Sequence, residues 1–331
     1  LITPLRFEPY LRPMVWGGSR LGAILHKRLP TEEPYGESWE ISNHASHHSV
    51  VADGAWAGRT LRDLMDHERE ALLGKAATGH AVFPWLVKLL DANDWLSVQV
   101  HPSEVDVRRL WPGEGSKTEA WFVLAAEPES RIYAGLLPGV DERRLRAALE
   151  AGQVADCLHQ FTPRPGDCLF LPAGTVHAVG GGVLMAEVQQ TSDATFRLFD
   201  WNRRDAQGQS RKLHIEESLA CIDWASGPVN PVVAIGFPSG DSGVSQTTSV
   251  RQSLVRCRFF VLDYLRQTSR FALGGTGKLQ VAVVLHGDGV FDTAEGEKRL
   301  GVGDNWLLPA ALPATACIPA EAVGLLVATL P

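Results

Sequence analysis

The reading of this chain is decided by the stretch Gly166-Asp167-Cys168-Leu169-Phe170-Leu171-Pro172-Ala173-Gly174-Thr175-Val176-His177. A glycine turn at Gly166 precedes the apolar run 169–171, and Pro172 and Gly174 then break the chain just before His177. That order describes a buried strand that ends sharply and delivers an imidazole past its end, which is how a β-barrel presents a metal ligand. Taken alone, a histidine after a Gly/Pro turn is more often a surface or core residue. Its weight comes from what stands upstream.

Two upstream segments supply partners: Ser97-Val98-Gln99-Val100-His101-Pro102 and Lys117-Thr118-Glu119-Ala120-Trp121. Side chains alternate along a strand, so Gln99 and His101 share one face while Val98 and Val100 feed the core on the other. The pattern G-x5-P-x-G-x2-H resembles the second motif of the cupin barrels, whose first motif supplies H-x-H or Q-x-H plus a glutamate. A set made of Gln99, His101, Glu119 and His177 mixes nitrogen and oxygen donors. It suits zinc, or manganese, iron, cobalt or nickel, and argues against calcium and magnesium.

Composition bounds the class. The chain has 331 residues, 45% of them hydrophobic and 21% charged, enough for one large domain or two. No apolar run approaches bilayer length. The start Leu1-Ile2-Thr3-Pro4-Leu5-Arg6 has neither an initiator Met nor the features of a secretory leader, which leaves open residues before Leu1. A net charge of −7 argues against a nucleic-acid partner. Five cysteines, odd in number and without a C-x-x-C pair, read as small core residues of a reducing compartment, so a cytoplasmic enzyme is expected. Of the ten tryptophans, Trp16, Trp39 and Trp121 lie close in sequence to the candidate chemistry, though a bulky core role is the more ordinary one.

Short β-rich runs dominate, punctuated by helices. Thr60 opens an amphipathic segment closed by Gly74, Ser103 and Asp106 read as a cap, Asp141 caps 142–151, and 214–224 is a further helix. Strands are expected at 85–90, 96–100, 120–124, 167–171 and 183–189, and later at 259–265, 280–285 and 289–293. Residues 236–250, rich in Gly and Ser, read as a linker. The later stretch Gly303-Asp304-Asn305-Trp306-Leu307-Leu308-Pro309-Ala310-Ala311-Leu312-Pro313-Ala314 repeats the turn, apolar run and proline of 166–177, with Ala314 where His177 stands. A second barrel that kept the turn and lost the metal is expected. The run Asn43-His44-Ala45-Ser46-His47-His48 invites a metal reading, but its histidines do not project to one point on a strand, and a solvated loop is expected instead.

Together the segments Trp16-Gly17-Gly18, Gly36-Glu37-Ser38-Trp39-Glu40, Leu86-Val87-Lys88, 96–102, Lys117-Thr118-Glu119, 172–177 and 189–200 resemble the type I mannose-6-phosphate isomerases in their short bacterial form. The resemblance covers some two hundred residues in order. It implies a mainly β protein of two cupin-type jelly-roll barrels with a few short helices. Residues 1–228 would hold the active site, and residues 229–331 a degenerate barrel without metal. It implies one zinc per chain, on His101, Glu119 and His177 with Gln99 as fourth ligand. Lys88, Ser97, Lys117, Glu187 and Arg197 would approach a sugar phosphate, and Glu37 would share the cleft. Moving a proton between C2 and C1 of an opened sugar needs a base, an electrophile and a phosphate anchor. Lys117, on the face of Glu119, and Glu187 compete for the base, and Arg197 could anchor phosphate or stabilise charge. Two other readings stay open. One is a sugar-binding or regulatory cupin without turnover, which an assay on mannose 6-phosphate separates. The other is a metal-dependent dioxygenase, which oxygen uptake with iron would expose. The oligomeric state is left open.

Overall fold

The computed structural model describes residues 3–204, 208–238 and 249–331; most of the expected linker, 239–248, lies outside the described residues. The chain is mainly β with short helices. An antiparallel seven-stranded sheet runs in the order Val232–Val233, Asp167–Leu171, Glu119–Ala126, Val183–Gln190, Trp85–Ala92, Tyr35–Ile41, Tyr10–Gly18. A five-stranded sheet, in the order Leu158–Phe161, Ile132–Leu136, His177–Val179, Val98–Val100, Phe196–Phe199, closes over it. Between them lies a core in which Trp121, Leu169 and Met185 of the first sheet meet Ile132, Ala134 and Val179 of the second.

The alternation at 98–101 sets the roles of the two faces of the smaller sheet. Val98 and Val100 point outward, fully buried against Leu145 of helix Glu142–Ala151 and Leu219 of helix Ile215–Cys221, while Gln99 points inward. The helices start where expected. Thr60 with Asp63 and Ser103 with Asp106 form full capping boxes, and Asp141 accepts from the Arg144 N–H. The segment after Thr60 is two helices, Leu61–His67 and Arg69–Leu73, because Glu68 leaves helical geometry at φ −127°.

An eight-stranded sheet built mostly from residues 250–329 forms the second barrel. Its interior, lined by Phe291, Trp306, Leu308 and Leu325 among others, is apolar. The stretch corresponding to 166–177 is again a strand, Asn305–Leu308, followed by a proline turn. The strands expected at 280–285 and 289–293 are one strand, Gln280–Thr293, which stays paired with Thr315–Thr329 through two bulges. Two short strands cross the expected boundary at 228: Leu5–Arg6 pairs with Asn305–Leu308, and Val232–Val233 pairs with Asp167–Leu171. The outer face of the seven-stranded sheet and one face of the eight-stranded sheet share a single core, in which Val87, Phe122 and Val188 meet Tyr264, Val283 and Leu326. The Phe122 ring stacks on Tyr264 at 6.1 Å and meets Phe237 edge-on at 5.2 Å. No helix among the described residues is long and apolar enough to cross a membrane.

Because that core joins the halves, Phe122→Ala should cost ~3–5 kcal/mol, the range for truncating a buried aromatic. Both halves should unfold in one transition, seen by coincident circular dichroism and tryptophan fluorescence in urea; two separated transitions would contradict a shared core. A second outcome concerns acid. His286 Nε2 lies 2.9 Å from the Tyr264 hydroxyl, packed against Gly324, where a Cβ would overlap the imidazole. Burial, and then Arg266, push its pKa down to about 4. An unfolded histidine titrates near ~6.5, so between these values the unfolded chain binds more protons. Stability from His286 is therefore complete above ~6.5 and is lost as pH falls toward about 4. The thermal midpoint should drop across that window, and less so in His286→Gln; an equal drop in both would remove His286 as a cause.

Candidate active site

His101 follows the strand Val98–Val100, Glu119 opens Glu119–Ala126, and His177 opens His177–Val179. All three are essentially inaccessible to solvent. Two tethers bring these strand ends together. The Gly174 N–H donates to the His101 carbonyl at 2.9 Å, and the Ala173 N–H donates to the Thr118 hydroxyl at 3.2 Å. Gly174 itself sits at φ +88° with Cys221 O and Asp223 close where a Cβ would be, so only glycine makes this turn without strain. Register supplies the rest: His177 pairs with Gln99, and Gln99 pairs with Arg197 on its other side.

The ligand-type atoms of His101, Glu119 and His177 all lie within 4.8 Å of one another, the one such group of three among the described residues. His101 Nδ1 donates to Ala194 O at 2.8 Å and His177 Nδ1 donates to Thr175 O at 2.9 Å. A carbonyl can only accept, so both rings carry their proton on Nδ1 and turn the Nε2 lone pair inward. Each Nε2 is 3.3 Å from Glu119, whose two oxygens are buried without a hydrogen-bond partner. Burial pushes His101 down and His177 to about 3, so both rings are neutral at physiological pH. Burial alone would raise Glu119, but Lys117, His101 and His177 outweigh it and hold the carboxyl well below its usual range. The Lys117 ammonium sits 2.8 Å from Glu119 and 3.1 Å from His101 Nε2, a positive charge where this donor set calls for one. Two imidazole lone pairs and one orphaned carboxylate fit a divalent transition metal. The Gln99 amide lies 3.2 Å from His177 Nε2, at the edge of the same group.

A cleft of about 320 Å³ adjoins the cluster through Gln99 and Lys117, which touch it and line the cleft. Lys88, Ser97, Gln99, Lys117, Glu187, Arg197 and Glu37 all line it, so the structure brings the substrate-facing residues expected from sequence into one space. Lys88 is 3.3 Å from Glu187 and 3.9 Å from Asp193. Burial would lower Lys88, but Glu187, Glu37, Asp193 and Glu119 outweigh it and keep the ammonium charged. Burial raises the Glu187 carboxyl above its ordinary value against the opposing pull of Lys117 and Lys88. Trp121 Nε1 donates to Glu187 Oε1 at 2.9 Å, leaving Oε2 without a hydrogen-bond partner. Glu37 is held by Trp39 Nε1 at 2.7 Å and Arg12 at 2.9 Å, which turns it into a support for Arg12.

Among the polar and aromatic lining residues, Arg12, Trp111, Arg211 and His214 were not expected from sequence. Asp193 belongs to the polar stretch 187–197, which from its composition could line a cavity, and does line the cleft, whereas Arg12 carries no local signal. Of the tryptophans, Trp16 and Trp121 line the cleft with their bulk buried and Trp39 lies wholly within the core, whereas Trp111 is 40% exposed at the rim. The histidine run at 43–48 is not a solvated loop. It is a tight hairpin, Asn43–His44 against His47–His48, with His44 buried 3.3 Å from Glu114 and His47 stacked on Tyr10 at 4.1 Å.

The sequence model of the phosphomannose isomerase type I catalytic domain matches residues 5–123. The chain is 34% identical over 311 residues to a mannose-6-phosphate isomerase of Streptococcus mutans, an alignment covering 93% of each. It is 33% identical over 306 residues to mannose-6-phosphate isomerase ManA of Bacillus subtilis, covering 92% of this chain and 93% of that protein. The crystal structure of the mannose 6-phosphate isomerase from Bacillus subtilis matches with a TM-score of 0.83 at 26% identity, over 98% of this chain and 99% of that one. Sequence and architecture agree along nearly the whole length, and the chain belongs to the type I mannose-6-phosphate isomerase family.

Proposed function

We propose that this isomerase interconverts mannose 6-phosphate and fructose 6-phosphate through an enediol. Zinc, one per chain, would be held by His101, Glu119, His177 and the amide oxygen of Gln99. The observation that carries the reading is a buried pair of Nε2 lone pairs around the Glu119 carboxylate, next to a cleft lined by Lys117 and Glu187. Bound zinc would supply an electrophile for the oxygen that gains charge as the C–H bond breaks. The division of labour is part of the proposal: residues 1–228 carry the chemistry, and 229–331 cover the outer face of the catalytic sheet. Five free cysteines accord with a cytoplasmic location.

The chain's own groups have separable tasks. Glu187, raised by burial and with Oε2 held only by the ion pair to Lys88, is placed to take and return a carbon-bound proton. Lys117, on the same side of the cleft, is placed to exchange a proton with the sugar oxygens. Lys88 keeps its charge and holds Glu187 and Asp193 in position. Ser97, buried at the cleft wall, is available to a sugar hydroxyl. Arg197, beside Gln99 in register, faces developing negative charge.

Metal analysis and a coupled assay on one purified sample test the reading. His101→Ala or His177→Ala should lose metal and turnover together, since each removes one of few ligands; full occupancy with near-normal turnover would end the zinc assignment. Glu187→Gln should lower kcat by ~10²–10⁴ and abolish exchange of the C2 hydrogen with solvent deuterium while metal is retained. Persisting exchange would move the base to Lys117. Arg197→Ala should lower turnover by ~10² with metal intact. A rise in KM alone would make it an anchor.

A further inference from the structure

Lys117, the group placed to exchange a proton with the sugar, stands on backbone that belongs to no strand. The ladder joining Val183–Gln190 to Glu119–Ala126 runs out at the pair Gln189–Glu119, and residues 115–118 before it have no regular structure. Loop backbone ordinarily keeps local freedom. Freedom here would be felt at the Lys117 ammonium, 2.8 Å from Glu119 and 3.1 Å from His101 Nε2. Yet Ser116, Lys117 and Thr118 are all buried, so their polar groups need partners inside the protein.

Gln190 supplies most of them. Its N–H donates to the Thr118 carbonyl at 3.1 Å, its Oε1 accepts from the Thr118 N–H at 3.0 Å, and its Nε2 donates to the Ser116 hydroxyl at 3.0 Å. The side-chain amide thus stands in for the next residue of the ladder and grips the chain on both sides of Lys117. Gln190 is itself held: the buried Gln189 amide donates to the Gln190 and Ser192 carbonyls. Around this grip the Lys117 N–H donates to the Pro102 carbonyl at 3.2 Å, and the Ser192 hydroxyl donates to the Gly115 carbonyl at 2.7 Å. Gln190 approaches from the far side. It lines not the catalytic cleft but a separate cavity of about 500 Å³, shared with Gly115, Ser116 and Thr191. Whatever it contributes to the reaction passes through residues 116–118.

We infer that Gln190 is the positioning residue for Lys117: by clamping Ser116 and Thr118 it fixes where the ammonium meets the sugar. The inference rests on the proposed proton-transfer role of Lys117, while the clamp itself is a statement about the backbone at Thr118. Two measurements on the full chain loaded with zinc keep them apart: steady-state kinetics on mannose 6-phosphate, and hydrogen–deuterium exchange at the Thr118 amide. Gln190→Met keeps the length of the side chain and loses both of its hydrogen bonds. Since a misplacement of about 1 Å costs on the order of 10²-fold in rate, kcat should fall at least ~10-fold with KM within ~2-fold of the parent. Thr118 should exchange at least ~10-fold faster, with metal content and melting temperature unchanged. Gln190→Glu, whose carboxylate can accept from both the Thr118 N–H and the Ser116 hydroxyl, should recover most of kcat and of the protection; a role in packing alone would make Met the better replacement. In a Lys117→Ala background, Gln190→Met should cost less than ~2-fold more, as expected of two residues acting through one group. An unchanged kcat in Gln190→Met, equal losses in the Met and Glu variants, loss of metal, or an undiminished effect in the Lys117→Ala background would each overturn the assignment. A parent chain that does not turn over mannose 6-phosphate would overturn the proposed function, and exchange then judges the clamp: protection of Thr118 that survives Gln190→Met overturns it, and protection lost there but restored in Gln190→Glu upholds it.

Discussion

A carboxylate sealed from water must be compensated from within the protein, and the arrangement of Glu119 meets that demand. The Lys117 ammonium at 2.8 Å supplies the compensation, while the two neutral imidazoles at 3.3 Å turn lone pairs toward the carboxylate and supply none, which is why the group calls for a further cation. An isolated buried charge would cost several kcal/mol, so the strands that carry its partners are held to this register. The His177–Gln99 pairing, the Gly174 turn against His101 and the Thr118 tether to Ala173 serve one end: they deliver two lone pairs and a cation to the same carboxylate.

The same logic extends across the cleft. Carboxylates and cations alternate from Arg12 and Glu37 through Lys88 and Asp193 to Glu187, so one wall is nearly self-neutralised and rigid. Around Asp200, by contrast, Arg203 and Arg211 pair with one carboxylate and Arg197 with none, an excess of positive charge among the described residues. A neutral sugar end and an anionic phosphate end would be distinguished by that asymmetry before any hydrogen bond forms.

The ligand-bearing segments could be read from sequence because each is local: a two-residue alternation at 98–101, a strand stop at 172–174, a Lys-Thr-Glu strand start. The mainly β class and the repeated turn at 303–314 were legible for the same reason. Arg12 and His214 were not, since each reaches the cleft through pairing with distant strands that leaves no local periodicity. The hairpin at 43–48 escaped because its burial comes from the Tyr10 ring of a distant strand and from the Trp39 ring, a contact that no local periodicity announces. The single strand Gln280–Thr293 read as two because its second bulge falls between Gly287 and Gly289, which in isolation look like a turn.

The pairing of Leu5–Arg6 with Asn305–Leu308 has a consequence for synthesis. The strand Leu5–Arg6 waits for a partner made some three hundred residues later, and Arg6 lies over the ring of Trp306 only then. Until release, the edge of the second sheet stays open and the apolar face it shares with the first barrel is only partly covered. Such long-range closure is slow, and the interval exposes a sticky nascent chain. Dependence on holding factors would therefore be greatest in the interval before Asn305–Leu308 is made and paired.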